Sequence, residues 1–568
     1  MKLIADVKYR FIIALVLVVS LPIVCFSSGK EPPGPEDAYI DGSGHAYYGK
    51  NQGGWRDTQR QFDHKLYGRR GQRQMIDILD GNYDEAVTKC EQVLVTEPND
   101  LESMFLLTVA RCQQKDYAGA AESMTRAVEG GMPFSRFLAG PRDMLKPLWD
   151  TKEFRQYANR FKIQLIHGPI VGCVTDTSAK YWVRTVDEVS VHVVVSKSKD
   201  FCSPIKSTIA STSSKVDYTA VVEVEGLQPD TIYYYDVILD GKSVLASDPP
   251  SFKTYKTFSK SKIQVAFGGG AKYTPANERM WDTVGSHSPR ALLLLGDNVY
   301  IDFPHQFGDF HKYTYYRRQS RPEFRKLTSS VPVYSIWDDH DCAIGDSWMG
   351  PYRDKPSWKM SLLEGFRMNW NNPGYGTEDW PACWFKFSIA DVDFFMLDGR
   401  FYRTNPYADN PSMLGPVQKA WLLKEVKRSK ASFKVLASPV PWDFYTKSNS
   451  RDTWNGFKEE REEIFGFLEE NKIDGVVLIS ADRHRSDARK IERSNGYPFY
   501  EFESSRLTNQ HKHPLKPGAI FGYNEKPSFG LLSFDTTIAD PTVTYQIISI
   551  DNEVIHSLTL KKSDISHK

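Results

Sequence analysis

The chain has 568 residues, several times the ~150 residues of a typical domain, so several domains are expected. Hydrophobic residues make up 40% and charged residues 25%, a balance that excludes a disordered chain, and a mean hydropathy of -0.46 excludes a polytopic membrane protein. The formal net charge is only +1, so no nucleic-acid-binding patch and no affinity for an anionic membrane surface are indicated.

The N-terminus has the pattern of a targeting segment. Basic residues precede an apolar run from Phe11 to Phe26, and small residues follow it. The run is shorter than the ~20 residues of a membrane-spanning helix and contains Pro22, so residues 1–29 are predicted to be a secretory signal peptide. An uncleaved anchor and a lipoprotein signal at Cys25 are the alternatives. We therefore expect a secreted, periplasmic or cell-surface protein without a membrane span in the mature chain.

The other six cysteines are widely scattered: Cys90, Cys112, Cys173, Cys202, Cys342 and Cys383. They form no CxxC pair and no Cys/His zinc spacing, so a thiol-based active site is not expected. In an oxidising compartment some of them could pair, but the sequence leaves the connectivity open.

Residues 30–67 are rich in Pro, Gly and polar residues and are predicted to be a linker, after which a helical pattern repeats. Tyr83 and Tyr117 are 34 residues apart, as are Ala86 and Ala120. This period resembles the tetratricopeptide repeat, so residues 68–161 are predicted to be tetratricopeptide-like helical repeats. Two unrelated helical hairpins are the alternative. Such a module is more typical of a surface for a protein partner than of a chemical site.

From residue 163, apolar residues alternate with a period of two, as in half-buried β-strands. Segments such as VSVHVVVS and TIYYYDVIL are separated by turns. The phrase LQPDTIYYY, from Leu227 to Tyr235, resembles the corner of fibronectin type III-like domains, where a tyrosine hydroxyl satisfies a backbone group. Residues 163–257 are predicted to be a β-sandwich of that kind.

From residue 262, strongly apolar runs alternate with helical or loop segments, which is typical of an α/β domain. Four of these runs lead directly into acidic residues, namely Asp297, Asp338 with Asp339, Asp398, and Asp482. Ligands bind at the carboxyl ends of strands in such sheets. Carboxylates gathered in one cleft repel each other unless cations neutralise them, so a metal site is predicted. The strand-like segments from residue 531 onward are expected to close the second sheet.

No serine, cysteine or threonine nucleophile with a neighbouring base follows these runs. Water activated by metal is therefore the expected nucleophile, because two metal ions in such a cluster can also clamp a phosphoryl group. Each motif alone is also compatible with an ordinary turn or surface loop. The prediction depends on their order and on the strands that precede them.

The motifs LLLLGDNVYID, WDDHDCAIGD, MLDGRFYR, LGPVQKAWL, DTWNGFKEER and LISADRHRSDA resemble, in this order, those of the PhoD-like alkaline phosphatase family within the calcineurin-like metallophosphatases. The resemblance spans roughly residues 163–550. It implies an N-terminal β-sandwich and a two-sheet α/β metallophosphatase domain, here residues 262–560, that hydrolyses phosphate mono- or diesters with a metal-bound hydroxide. It implies two or more metal ions, Fe3+, Ca2+ or both, with Mn2+ or Zn2+ as alternatives.

The resemblance also implies roles for individual residues. Asp297 resembles an aspartate that bridges two metals, and Tyr300 resembles a phenolate ligand of ferric iron. His340 resembles a histidine that contacts phosphate and assists the leaving group. The other implied metal ligands are Asp338, Asp339, Asp482 and His484.

Asp398 and Arg400 lie in the family's Asp-x-Arg motif, where a guanidinium can face phosphate oxygens in a catalytic role. For Arg400 and Arg403 a structural ion pair is the alternative. Four further histidines in this region are interpreted as polar loop residues rather than ligands: His305, His311, His511 and His513.

One position departs from the family pattern. The family often has a cysteine after the first catalytic strand, where this chain has Phe267, Gly268, Gly269 and Gly270, so the expected thiolate is missing. Water, another metal or a neighbouring carboxylate are alternatives for its place, or the glycines let the backbone approach a metal or phosphate. A cysteine placed at Gly270 is expected to shift the site toward iron if the backbone accepts a side chain.

Two other functions stay open. One is a metallophosphatase-like binding protein that has lost its activity, which the missing cysteine favours. The other is a phosphodiesterase of the phospholipase D type. Because no candidate ligand lies in residues 30–160, we expect the catalytic region to bind metal and hydrolyse esters without the helical repeats.

Overall fold

The computed structural model describes residues 70–568, so the predicted signal peptide and linker lie outside the described residues. The described chain forms a helical module, a β-sandwich and an α/β region with two large sheets. Within residues 70–568, no helix has both the length and the apolar character that crossing a bilayer requires.

The helical module begins with four helices, α1 Gln72–Leu79, α2 Tyr83–Thr96, α3 Leu101–Gln113 and α4 Tyr117–Glu129, which are followed by α5 Ser135–Ala139, α6 Arg142–Leu145 and α7 Lys152–Phe161. The 34-residue period corresponds to two equivalent helices, because Tyr83 and Tyr117 each begin one. Ala86 and Ala120, one turn further on, are both fully buried. The helical prediction is confirmed, and the tetratricopeptide assignment stays a prediction.

The β-sandwich consists of two antiparallel sheets. One contains β1 Leu165–Gly172, β2 Ser178–Thr185 and β6 Thr219–Glu225. The other pairs β3 Ser190–Ser196 with β7 Ile232–Leu239 and adds the short strands β4 Ile205–Lys206, β5 Ala210–Ser211, β8 Lys242–Ser243 and β9 Ser251–Lys253.

Aromatic rings fill the space between these two sheets. Tyr181 of β2 and Tyr235 of β7 lie with ring centroids 4.7 Å apart, and both are fully buried. At the corner predicted from the sequence, the Gln228 N–H donates a 2.9 Å hydrogen bond to the Tyr233 hydroxyl. The corner contact is therefore present, while the fibronectin type III assignment stays a prediction.

The first sheet of the α/β region has the spatial order β12-β11-β10-β20-β21-β22. Its strands are β10 Lys262–Gly268, β11 Ala291–Leu295, β12 Val333–Ile336, β20 Ser528–Asp535, β21 Thr542–Ser549 and β22 Val554–Lys561. Strands β10, β11 and β12 are parallel, and β20 runs antiparallel to β10 with Lys262 opposite Asp535. The expectation that the last strands close the second sheet is therefore wrong, because this pairing places them in the first.

The second sheet has the order β13-β14-β15-β16-β18-β17-β19. Its strands are β13 Phe385–Ile389, β14 Val392–Met396, β15 Phe433–Ala437, β16 Val476–Ser480, β17 Ser486–Ile491, β18 Phe499–Ser504 and β19 Ala519–Tyr523. Strands β14, β15, β16 and β18 are parallel. The two sheets pack face to face, since Phe534 of β20 lies 5.4 Å from Phe433 of β15 between ring centroids, and Tyr545 of β21 lies 4.4 Å from Phe502 of β18.

Helices cover the sheets: α8 Met280–Ser286, α9 Asp309–Gln319, α10 Pro322–Thr328, α11 Asp339–Cys342, α12 Lys359–Arg367, α13 Gly415–Arg428 and α14 Lys458–Glu470. The six cysteines of the described residues are free thiols, and all except Cys202 are buried. The pairing considered for an oxidising compartment is not present in this part of the chain.

The helical module packs against α9. Phe105 of α3 stacks on Tyr313 of α9 with ring centroids 6.4 Å apart, and the Arg136 guanidinium lies 4.2 Å from the centroid of Phe105. Gly71 allows this approach, because a Cβ there would lie 2.5 Å from the Tyr313 hydroxyl and the backbone has φ +82°. The buried Arg136 is paired with Glu102 at 3.1 Å.

A side chain of the module also reaches the loop that carries the predicted ligands. The Gln72 Nε2 atom donates a 2.8 Å buried hydrogen bond to the carbonyl of Tyr300. These contacts argue against the expectation that the catalytic region works without the helical repeats. The module holds the backbone of a predicted ligand in place.

We predict that Gln72→Leu lowers both stability and activity. The substitution leaves the buried Tyr300 carbonyl without this donor, which costs about 1–3 kcal/mol. Gln113→Leu is the matched control, since Gln113 donates a 2.8 Å hydrogen bond to the Met144 carbonyl within the module. The midpoint temperature of thermal unfolding is expected to fall by a few degrees in both variants. The rate of phosphate-ester hydrolysis is expected to fall only in Gln72→Leu. Equal activities in the two variants would contradict the link.

Candidate active site

The carboxyl ends of strands from both sheets meet at one rim. Asp297 follows β11, Asp338 and Asp339 follow β12, and Asp482 follows β16. Asp297 and Asp482 have φ +54° and +73°, and Tyr300 and His484 also lie in the left-handed region, at +54° and +45°. Such conformations cost non-glycine residues on the order of 1–2 kcal/mol and concentrate at functional sites. The loops therefore hold these side chains at a conformational cost.

Tyr300 links two of the predicted ligands. Its hydroxyl donates a 2.7 Å hydrogen bond to Asp297 Oδ2, lies 3.4 Å from His484 Nε2 and accepts a 2.9 Å hydrogen bond from Asn509 Nδ2. Burial and the Asp297 carboxylate raise the pKa of the Tyr300 hydroxyl well above its usual value. A phenolate here therefore requires a cation beside it.

His484 is oriented as a metal ligand. Its Nδ1 atom lies 3.1 Å from the Ser505 carbonyl, which can only accept, so Nδ1 carries the hydrogen and Nε2 presents its lone pair toward Tyr300. Burial and the neighbouring His513 lower the pKa of His484 well below its usual value. The imidazole is neutral at neutral pH, as a ligand must be.

The carboxylates at this rim are incompletely satisfied. Ligand atoms of Asp297, Asp339 and His340 lie within 4.8 Å of one another. Burial and the nearby aspartates raise the pKa of Asp297 well above its usual value. Among the predicted ligands, three buried carboxylate oxygens have no hydrogen-bond partner within residues 70–568: Asp297 Oδ1, Asp338 Oδ2 and Asp482 Oδ2. Unpaired oxygen donors beside a neutral imidazole fit a hard or borderline metal cation.

His340 is held by a residue that the sequence analysis missed. Its ring stacks on Tyr300 with centroids 4.6 Å apart, and its Nδ1 atom contacts the carboxylate of buried Asp302. Burial disfavours the charged imidazole, but Asp302, Asp339 and Asp297 outweigh burial and raise the pKa of His340 to about 10. The signal for Asp302 was its position in the GDNVYID phrase, five residues after Asp297.

Asp341 is a second residue that the sequence analysis missed. Its Oδ1 atom accepts hydrogen bonds of 2.8 and 3.1 Å from the N–H groups of Asn298 and Val299. These bonds fasten the loop after β11 to the start of α11. Asp341 therefore positions the backbone that carries Asp297, and its signal was the third carboxylate of the WDDHD phrase.

Arg400 and Asp398 are enclosed by protein groups. The fully buried Arg400 contacts Asp338 through Nε and lies 2.6 Å from Asp452 through Nη1, and Arg403 shares Asp452 at the same distance. Asp398 accepts hydrogen bonds from the Trp337 indole and from backbone N–H groups, including that of Arg400. These contacts occupy the N–H donors of Arg400 and the acceptor oxygens of Asp398. They therefore favour structural roles over the catalytic ones implied by the resemblance.

A buried lysine neutralises the second acidic group, which consists of Asp339, Asp346 and Asp452. Lys447 Nζ lies 2.8 Å from Asp346, 2.7 Å from Asp452 and 3.4 Å from Asp482. Burial disfavours its charged form, but these carboxylates outweigh burial and raise the pKa of Lys447 well above its usual value. Protein cations thus balance this part of the rim, whereas Asp297 Oδ1 has no hydrogen-bond partner among the described residues. No sequence signal singled out Lys447.

The four histidines predicted to lie in loops fall into two pairs. His305 lies in a loop with its ring centroid 4.4 Å from that of Phe303, whereas the loop prediction is wrong for His311, which is buried in α9 with a ring nitrogen 2.9 Å from the Phe303 carbonyl. His511 and His513 instead surround His484, with ring centroids 5.5 and 5.0 Å from its own. This second pair lies beside the predicted ligands.

Gly270 has no room for a side chain. Its backbone has φ +65°, and a Cβ would lie 2.4 Å from the Ser505 carbonyl oxygen and 3.1 Å from His484 Nδ1. The prediction that a cysteine at position 270 shifts the site toward iron required a backbone that accepts a side chain. This requirement is not met. The close approach of β10 to the loop after β18 takes the place where the family often carries a thiolate.

We predict that Gly270→Ala destabilises the protein more than Gly226→Ala. Both glycines have positive φ, but a Cβ at Gly226 would meet nothing within 4 Å. Gly226→Ala should therefore lower the free energy of unfolding only by the cost of a positive φ in alanine, about 1–2 kcal/mol. Gly270→Ala should lower it further, because its Cβ also collides with the Ser505 carbonyl. Thermal and urea unfolding of both variants measure the difference. Equal losses would mean that the Ser505 carbonyl moves away without cost.

Known proteins resemble this chain in the regions just described. The family model "PhoD-like phosphatase" matches residues 265–530, and the model "Domain of unknown function (DUF7800)" matches residues 162–257. Alkaline phosphatase D of Bacillus subtilis (strain 168) is 22% identical over 372 residues, which are 55% of this chain and 60% of that protein. A solved structure of PhoD matches with a TM-score of 0.59 at 17% identity, over 71% of this chain and 90% of that one, and shows the shared fold.

Proposed function

Because residues 265–530 belong to the PhoD-like phosphatase family, we propose that this protein is a metal-dependent phosphatase or phosphodiesterase that hydrolyses phosphate esters at the rim between the two sheets. The observation that carries the proposal is that Asp297, Asp338 and Asp482 each bury a carboxylate oxygen without a hydrogen-bond partner among the described residues, although Lys447 Nζ lies 3.4 Å from Asp482. Burying such groups is costly unless a cation lies beside them, which supports a metal site at this rim.

Six residues would hold the metal ions: Asp297, Tyr300, Asp338, Asp339, Asp482 and His484. Their oxygen and imidazole donors suit Fe3+, Ca2+, Mn2+ or Zn2+. When bound, such ions supply the Lewis acidity that activates water and offsets the charge of the phosphoryl group. The Ser505 carbonyl leaves His484 Nε2 available as a donor, and the Tyr300 hydroxyl already lies beside Asp297.

His340 is the proposed proton donor to the leaving group. Its Nδ1 atom is held by Asp302, so Nε2 is the ring atom left for a substrate, and the side chain is 22% exposed. An imidazolium stabilised by Asp302 can give a proton to the oxygen that leaves when the P–O bond breaks. Arg400 positions Asp338 and Asp452 from behind the rim.

We also propose that the protein is exported, on the targeting pattern of residues 1–29, and that the helical module offers a surface to a protein partner. The first proposal lies outside the described residues. The second is limited to faces of the module that do not pack on α9.

We predict that chelation by EDTA abolishes hydrolysis and that Ca2+, Mn2+ or Zn2+ restores it at least in part. Asp297→Asn is expected to reduce both bound metal and kcat, the latter roughly 100-fold or more, because no other residue supplies its charge. Asp236→Asn in the sandwich, a buried carboxylate that accepts backbone hydrogen bonds, is the control. Total metal analysis and turnover of a nitrophenyl ester measure both effects. Purified protein without metal, and hydrolysis indifferent to chelation, would favour an inactive binding protein.

We predict that His340→Asn slows poor leaving groups more than good ones. Loss of a general acid costs about 100- to 10,000-fold when the departing oxygen needs a proton. Phenyl phosphate should therefore lose much more activity than p-nitrophenyl phosphate, whose nitrophenolate leaves without help. Asp302→Asn should show the same trend to a smaller extent. A uniform loss across both esters would exclude proton donation by His340.

A further inference from the structure

Arg483 is a guanidinium in the site whose pairing is incomplete. It lies between the predicted ligands Asp482 and His484, and its side chain is only 10% exposed. Its Nε atom has no hydrogen-bond partner within the described residues, and its ion pair with Asp482 is long, at 3.7 Å. A buried guanidinium is costly unless its donors are filled, so a ligand is expected to fill them.

Neighbouring arginines show the difference. Arg400 and Arg403 are filled by Asp338 and Asp452. Arg485 contacts Asp487 at 2.8 Å and donates to the Thr446 carbonyl, although its Nη1 atom also lacks a partner among the described residues. The guanidinium that the resemblance assigned to phosphate, Arg400, is therefore occupied. Arg483, which is adjacent to the predicted metal ligands Asp482 and His484, instead has an N–H donor at Nε without an acceptor among the described residues.

Two imidazoles stand on the same side of the rim. His511 and His513 lie beside His484, with ring centroids 4.7 Å from each other. The Nδ1 atom of His513 is buried and has no hydrogen-bond partner in the part of the chain that the structure describes. It is a second polar group near Arg483 that lacks a partner. Arg483, His511 and His513 thus place nitrogen donors close to the predicted ligands Asp482 and His484.

We propose that Arg483, with His511 and His513, binds charged non-bridging oxygens of the phosphoryl group, so that the site prefers phosphate monoesters to diesters. The proposal rests on the proposed function and deepens it. A monoester carries one more charged oxygen than a diester, in which an uncharged ester oxygen occupies that position. The planar guanidinium matches two phosphoryl oxygens at once, which a metal ion alone does not select. Loss of Arg483 therefore weakens monoester binding selectively.

The test uses the full-length metal-loaded protein and two substrates with one leaving group, p-nitrophenyl phosphate and bis(p-nitrophenyl) phosphate. Arg483→Gln is expected to raise KM for the monoester, and the inhibition constant of inorganic phosphate, by roughly 10- to 100-fold. The KM of the diester should change less than about threefold, and kcat little for either. Arg483→Lys should restore part of the phosphate affinity, because it keeps the charge and loses the fork.

The matched control is Arg493→Gln, since Arg493 is paired with Glu462 and Glu469 away from the site. It should leave all constants unchanged. Bound metal and thermal unfolding are measured on each variant, so that an effect through Asp482 is recognised as metal loss. If Arg483→Gln does not fold, His513→Asn on the loop replaces it, with an expected two- to tenfold weaker inhibition by phosphate.

Equal increases in KM for both esters, or an unchanged inhibition constant for phosphate at unchanged metal content, would overturn the proposal. If the wild-type protein hydrolyses neither ester, the proposed function fails. Titration calorimetry, which measures the binding of inorganic phosphate to the wild-type protein and to Arg483→Gln, then tests the anion site separately. Binding that is lost in Arg483→Gln supports the site, and binding of equal strength in both proteins refutes it.

Discussion

The excess of buried carboxylates over buried cations is the constraint on which the site is built. Strands of two sheets deliver aspartates to one rim, where burial makes each additional negative charge more costly. The protein resolves part of this conflict itself, with Arg400, Arg403 and Lys447 among Asp338, Asp346 and Asp452. In the proposed function, metal ions neutralise the rest. Protein cations thus contact the acidic residues on one part of the rim, while Asp297 Oδ1 and Asp338 Oδ2 have no hydrogen-bond partner among the described residues.

The same constraint explains the backbone around the rim. Asp297, Tyr300 and His484 keep left-handed conformations because loops held by Asp341, Gln72 and Ser505 permit little else. Without such supports, the repelling side chains would turn toward solvent. The strain is thus stored in loops and balanced by the packed strands, helices and helical module behind them.

Local patterns in the sequence predicted the elements well, and contacts between distant elements poorly. The acidic residues after apolar runs and the corner at Tyr233 depend on periodicities within a few residues, and both are present. The alternation of apolar residues also predicted strands within residues 528–561. It could not predict that β20 pairs with β10, because alternation carries no information about which strand lies alongside. Similarly, Arg400 and Arg483 each follow an aspartate closely in the sequence, so the sequence does not distinguish them. Only the fold determines which of the two guanidinium groups is paired with carboxylates.

The hydrogen bond from Gln72 to Tyr300 joins residues 228 positions apart, and that separation bears on how the chain is made. At roughly 5–20 residues per second, a ribosome needs on the order of 10–45 s to extend from one to the other. During that time α1 and α3 have emerged without α9, the surface that covers Phe105. The contacts of Gln72 and Phe105 with the α/β region therefore form only after the helices that carry them have been synthesised and can pack on one another.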